Sequence, residues 1–306
     1  MNNKWTLNDM PSLKGKTIIV TGGNSGLGYA AVKAFASKGA KVIMASRSIT
    51  RGEEAKKQII AELKTADITV MNLDLNDLSS VKSFVEEFKK THQQLHILLN
   101  NAGIMMTPYG KSKDGIEGQQ ATNHFAHFAL TGLLMDIIRT TPKARVVNVS
   151  SLAHRQGKMD FSNLLYENGN DYSPMKAYGR SKLENLLFTY QLQQYFEEQK
   201  IDAIAVVAHP GVSNTNLFNN ISSKWLMAIL KPIFGLFVQP ASMGALPEIR
   251  AAVDASVKGG EFYGPDGNNQ VKGYPVVVRP DKSVFKEADA PKLWNFSEEI
   301  TGVKFN

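Results

Sequence analysis

The 306-residue chain has no cysteine. Disulfides, thiolate zinc sites and a cysteine nucleophile are therefore excluded, and any chemistry falls to other side chains. Long hydrophobic runs are scarce as well. The most apolar stretch, residues 222–238, is broken by Lys231 and Pro232, short of the ~20 unbroken apolar residues that a membrane-spanning helix requires. It reads as a helical flap over a substrate pocket, carrying Trp225, Leu226, Met227, Ile229, Leu230, Ile233 and Phe234, rather than as a membrane contact. The N-terminal MNNKWTLNDMPSLKGK lacks the apolar core of a secretory signal and reads as an arm lying over the domain. Formal charge is +7, yet lysines and arginines are scattered and no recognition motif accompanies them, which argues against nucleic acid as a partner. Neither repeats, low-complexity tracts nor a linker divide the chain. One domain over residues 1–306 is expected, with a core over about 14–257 and a C-terminal extension, 258–306, packed on it. A cytoplasmic location is the matching expectation.

What is present is alternation. Apolar runs at 16–21 (KTIIVT), 41–45 (KVIMA), DITVMNLDL, HILLNNAG, ARVVNVSS and DAIAVVAHPG are separated by segments of helical spacing. This order predicts an α/β fold, a doubly wound parallel sheet with helices on both faces. Gly115–Thr141 reads as one long helix closed by Pro142, and about 176–198 as another. The stretch 152–175 between them is a long loop, and long loops in compact domains are often functional.

Between the first strand and first helix lies Thr21-Gly22-Gly23-Asn24-Ser25-Gly26-Leu27-Gly28. Glycines there allow a tight turn and let backbone N–H groups approach a pyrophosphate at a helix N-terminus. The spacing of Gly22, Gly26 and Gly28 is not the commoner G-x-G-x-x-G, and no Gly-Lys-Ser/Thr follows, so it is not a P-loop. At the end of the second strand, where an NAD site carries an acid for the ribose 2′-hydroxyl, Ser46 is followed by Arg47. A guanidinium can grip a 2′-phosphate with two hydrogen bonds, which favours NADP(H), with NAD(H) the alternative. Arg51 could help, although as the start of a charged helix it reads as solvated.

Tyr178 and Lys182 are four apart on the predicted helix, so both project from one face. An unperturbed phenol has a pKa of about 10; an ammonium beside it favours the phenolate and lowers that value toward a usable acid or base. His124 and His127 lie three apart, but without an acid or third ligand they read as packing or surface residues, not a metal site. His154 and His209 read as structural.

Taken in order, these motifs resemble the short-chain dehydrogenase/reductase family from Lys16 to about Ile249, and VVNVSSLAH, NHFAHF and AYGRSKLENLLF resemble its retinol dehydrogenase-like branch. The resemblance implies that Asp74, followed by Leu75, meets the adenine and that Asn101-Ala102-Gly103 of the NNAG turn lies along the cofactor. It further implies that Pro210, Gly211, Val212 and Thr215 close over the nicotinamide. Asn123, Ser151, Tyr178 and Lys182 would be the catalytic set. Tyr178 would exchange the proton, Ser151 would hold the substrate oxygen, Lys182 would bond the nicotinamide ribose, and Asn123 would hold a water leading to Lys182. In the simplest members the serine and tyrosine are closer in sequence than Ser151 and Tyr178 are here. The retinol dehydrogenase-like branch has a similar insertion, which implies an altered pocket wall. The expected activity is hydride transfer between nicotinamide and a fairly apolar aldehyde, ketone or secondary alcohol. The competing readings are an NADP(H)-binding redox sensor without turnover and a sugar-nucleotide epimerase. A sensor has no need of Ser151, Tyr178 and Lys182, and the glycine spacing does not suit an epimerase. Pairing of copies through the two long helices is implied too, although the terminal extensions stand in the way of it.

Overall fold

The computed structural model of the chain describes residues 4–212 and 239–305, so the expected flap (222–238) and Thr215 lie outside the described residues. Eight strands join in one sheet: β1 (Thr17–Thr21), β2 (Lys41–Ser46), β3 (Asp67–Asn72), β4 (Ile97–Asn100), β5 (Ala144–Val149), β6 (Ala203–Ala208), β7 (Phe262–Pro265) and β8 (Pro275–Val278). Their order is β3-β2-β1-β4-β5-β6-β7-β8. Every pairing is parallel except β7 with β8, which is antiparallel. The connecting helices are α1 (Gly26–Ser37), α2 (Ile49–Glu62), α3 (Leu78–Thr91), α4 (Gly118–Gln120), α5 (Ala126–Leu133), α6 (Met135–Thr140), α7 (Pro174–Glu198), α8 (Leu246–Val253) and α9 (Ala290–Thr301).

The strands are apolar at consecutive positions because both faces of the sheet are covered. Successive side chains point to opposite faces. Ile18, Val20, Val42, Met44, Leu99 and Val147 therefore pack on the face shared with α1 and α8. Ile19, Ile43, Leu98 and Val146 pack on the face shared with α3, α5 and α7. The doubly wound arrangement expected from the sequence is the one found. Ends of elements follow local chemistry. Asp77 caps α3 by accepting from Ser79 N at 2.9 Å and Ser80 N at 3.3 Å. Pro174 occupies the first turn of α7, where a missing N–H costs nothing.

Two segments differ from the sequence reading. The segment 115–141 is not one helix: α4 passes into a π-helical turn at Ala121–Phe125 before α5, and α6 follows separately. The carboxylate of Glu117 sets the start, accepting from Gln119 N at 2.9 Å and Gln120 N at 3.0 Å. Residues 258–306 do more than lie on the core. They extend the sheet by β7 and β8, and α9 packs over α5 and α7. Phe305 and Trp294 meet Phe128 there, at 4.9 and 5.2 Å between ring centroids.

Candidate active site

At the C-terminal ends of β1, β2, β4 and β5 a cavity of about 390 Å³ runs across the sheet. In doubly wound sheets this crevice, where the strand order reverses, is the ligand-binding place. Among the expected residues, Gly22, Asn24, Ser25, Gly26, Leu27, Gly28, Arg47, Asp74, Leu75, Asn101, Ala102, Gly103, Tyr178, Lys182 and Pro210 line it. Asn123, Ser151, Gly211 and Val212 are not among its lining residues. Val212 is tied to the C-terminal segment, its N donating to Val271 O at 2.8 Å, and Gln239 Nε2 donates to Pro210 O at 2.8 Å.

The dinucleotide end fits its expected guest. Gly22 has a φ of +67°, and a Cβ on Gly28 would sit 2.5 Å from both Asn101 Nδ2 and Gly22 O, so only glycine permits the approach of turn and helix. The side chain of Ser46 is turned to Ser48 O at 3.0 Å. Arg47 and Arg51 are both exposed and line the cavity at this end. Neither is in an ion pair among the described residues. The end of β2 thus presents two guanidinium groups and no acid, a donor set suited to a phosphorylated ribose.

At the other end Tyr178 and Lys182 project from the first turns of α7, nearly covered, at 5% and 4% exposure. Lys182 Nζ lies 5.8 Å from the Tyr178 ring centroid and donates to Val149 O at 3.0 Å. Its position corrects the expectation about the phenol. Burial pushes the Tyr178 pKa up, opposed only by a hydrogen bond with Ser151. Burial also pulls the lysine down to about 8, opposed by the carboxyl of Glu248. Desolvation therefore outweighs the hydrogen bond to the phenol here. Ser151 also accepts from Ala153 N at 3.2 Å, which caps the turn after β5.

Asn123 sits in the π-helical turn, a distortion frequent at functional sites. Its side chain is spent on protein. Oδ1 accepts from Ile104 N at 2.8 Å, and Nδ2 donates to Ile104 O at 3.0 Å and to Ser181 Oγ at 2.9 Å. The second lone pair of Oδ1 has no protein partner and can accept from a water. The histidines are buried and bonded to protein. His124 Nε2 meets Ser297 Oγ of α9 at 2.9 Å, whereas His127 meets Thr21 Oγ1 at 2.9 Å, so the two rings serve different partners. His154 Nε2 accepts from Asp281 N at 3.3 Å and its Nδ1 bonds Ser151 O at 2.6 Å, tying the serine's backbone to the C-terminal segment. His209 Nε2 bonds Gln270 Oε1 at 3.0 Å.

Several participants were given no role by the sequence reading. Glu248 on α8 is 2% exposed, neither carboxyl oxygen has a hydrogen-bond partner, and burial raises its pKa to about 8. Arg180 reaches back from α7 to the insertion and donates to the carbonyls of Lys158, Asn163 and Leu164 at 2.9, 2.8 and 2.7 Å, over the Tyr166 ring. Gln119 links Met106 N to Tyr172 Oη and Pro174 O. Gln120 Nε2 donates to Glu184 Oε1 at 2.6 Å, while Gln120 Oε1 and Glu184 Oε2 both lack a partner. Burial lifts Glu184 to about 7, and a proton on Oε2 would give Gln120 Oε1 its donor and leave neither acceptor orphaned. No sequence signal marks these residues, because each works through a long-range contact.

A sequence profile of the short chain dehydrogenase family matches residues 16–225. The chain belongs to that family. It is 37% identical over 295 residues to human retinol dehydrogenase 12, covering 96% of this chain and 88% of that protein. It is 36% identical over 292 residues to the short-chain dehydrogenase TIC 32 B, chloroplastic, of Brassica napus, covering 93% and 88%. The crystal structure of an uncharacterised protein from Mycobacterium paratuberculosis superposes with a TM-score of 0.83 at 36% identity, covering 99% of this chain and all of that one. The chain is thus a retinol dehydrogenase-like member of a family of oxidoreductases acting on CH–OH or C=O groups of small molecules. No helix of the described residues is long and apolar enough to cross a membrane.

Proposed function

We propose that the chain is an NADP(H)-dependent oxidoreductase whose substrate is a fairly apolar aldehyde, ketone or secondary alcohol. The observation that carries this is one cavity lined at one end by Tyr178 and Lys182, and at the other by the glycine turn, Asp74 and Arg47. NADP(H), when bound, supplies or takes up the hydride. Its pyrophosphate would lie on the Gly22–Gly28 turn and its 2′-phosphate against Arg47, with NAD(H) the weaker ligand. Gly211, Val212 and Thr215 are proposed to continue this binding surface beyond Pro210.

Tyr178 donates the proton in reduction and accepts it in oxidation; its raised pKa keeps the resting phenol in the donor form. Ser151, bonded to that phenol, also holds the substrate oxygen and steadies the negative charge that grows on it. Lys182, near neutral balance at a pKa of about 8, can pass a proton on toward Asn123. The apolar substrate class is supported by relatives named for retinol. A redox sensor without turnover gains no support, because the whole proton-handling set is present.

The test is oxidation of NADPH by the purified protein with a panel of aldehydes and ketones. A Tyr178→Phe variant should bind NADPH as before and turn over at least ~100-fold more slowly, the scale of general acid catalysis. Undiminished turnover by that variant would remove Tyr178 from the mechanism.

A further inference from the structure

One buried histidine touches both halves of the site without lining the cavity. His127, 2% exposed on α5, has Nδ1 3.1 Å from Asn123 O and Nε2 2.9 Å from Thr21 Oγ1. A carbonyl oxygen only accepts, so the ring proton is on Nδ1. In the neutral ring Nε2 is then an acceptor, and the Thr21 hydroxyl donates to it. Thr21 Oγ1 in turn accepts from Asn101 N and Ala102 N, each at 2.9 Å, and Asn101 Nδ2 returns to Thr21 O at 2.7 Å. The other end of the same turn is held by the Asn123 side chain on Ile104. Residues 101–104 are thus gripped twice, and His127 joins the two grips. Between them lies Gly103, where an added Cβ would be 3.1 Å from Asn123 Oδ1 and 3.3 Å from Lys182 Nζ. The turn thus passes beside both Asn123 and Lys182, with no room for a side chain between them.

We propose that His127 is a positioning residue: a neutral, two-ended clamp that fixes the floor of the cofactor cleft to the turn carrying Asn123. The proposal rests on the reading of Tyr178 and Lys182 as the reacting pair. Burial, reinforced by the nearby lysine, holds the imidazole down at about 4, so the clamp keeps one tautomer through neutral pH. A protonated ring would turn a second donor on Thr21 and displace its hydroxyl from the bond.

His127→Phe, His127→Gln and His127→Asn in the full chain separate this from simple packing. Glutamine can reach Thr21 as Nε2 does, and asparagine can reach the Asn123 carbonyl as Nδ1 does. Thermal melts, NADPH dissociation constants from fluorescence titration, and kcat and KM are measured on each. The Phe variant should stay folded, bind NADPH more weakly and lose about 100-fold in kcat, the scale of a 1 Å misplacement at a reacting centre. The Gln variant should regain NADPH affinity with kcat still low, and the Asn variant should regain part of kcat. Normal kcat and affinity in the Phe variant, or losses in all three that simply follow melting temperature, would overturn the proposal.

If the wild type turns over no carbonyl, the proposed activity fails and NADPH affinity alone decides the clamp: Gln tighter than Phe upholds it, equal affinities overturn it. If the Phe variant does not fold, His127→Gln against His127→Asn makes the same cut. NADPH affinity should then be higher with Gln than with Asn, and equal affinities overturn the proposal.

Discussion

The glycine-turn end of the cavity and the insertion before Tyr178 are built in different ways. The nucleotide side is backbone: a glycine turn, the 101–103 turn and the ends of β1, β2 and β4, held by N–H groups and short reaches such as Asn101 Nδ2 to Thr21 O. The insertion before Tyr178 is held by side chains: Arg180 on three of its carbonyls, Gln119 bridging to Tyr172 and Pro174, and the Gln120–Glu184 pair next to it. A backbone cradle accepts one ligand shape and demands glycine at fixed spacing. A polar side-chain scaffold can be re-cut without disturbing the cradle, so one cofactor site can serve many substrate walls.

Three substitutions sharpen this contrast, beginning with the largest effect. Arg180→Met should free the insertion from α7 and destabilise the protein by roughly 3 kcal/mol, because buried carbonyls lose a charged donor. Substrate KM should rise while NADPH affinity stays unchanged; equal damage to both would show that the two sides are one unit.

Glu184→Gln should act through pH. The buried carboxyl titrates at about 7 in the fold against a reference of 4.5, so folding takes up a proton. Its stabilising contribution is complete below pH 4.5 and is lost as pH rises through 7. Glutamine offers Gln120 the same donor and acceptor without the charge. The variant should match wild type near pH 5 and exceed it by up to about 3 kcal/mol at pH 8 in denaturant melts. Glu117 faces the same carboxyl, and Glu184 itself raises the Tyr166 phenol, so the difference curve reads Glu184 together with these couplings. A flat difference would mean that the acid finds water or another partner in solution.

The smallest effect is expected from Arg47→Ala, at the exposed rim. KM for NADPH should rise about 10-fold, consistent with loss of a charge-assisted contact, and KM for NADH should barely move. An equal rise for both would place the 2′-phosphate elsewhere.

This division also explains what could be read in the sequence. The sheet was legible because both its faces are buried and its strands are apolar throughout, and the cradle because backbone recognition writes itself as contiguous glycines. The Tyr178–Lys182 pair was legible because four residues on a helix share a face. Three features were hidden for the converse reason. The π-helical turn at Asn123 keeps helical composition while changing the hydrogen-bond ladder. The orphaned acids Glu184 and Glu248 look like ordinary helix residues until their burial is known. The strands after residue 258 are only four residues each, too short for a periodic signal. The burial of the phenol was hidden too, since adjacency on a helix says nothing of how much water is excluded.

The bond from Asp281 N to His154 has a bearing on how the chain comes off the ribosome. The two residues are 127 positions apart, and His154 in turn holds the backbone of Ser151. In a nascent chain every residue of the cradle is therefore made before the strut behind the serine. The support of that serine comes from a segment made well after the turn that faces the nucleotide.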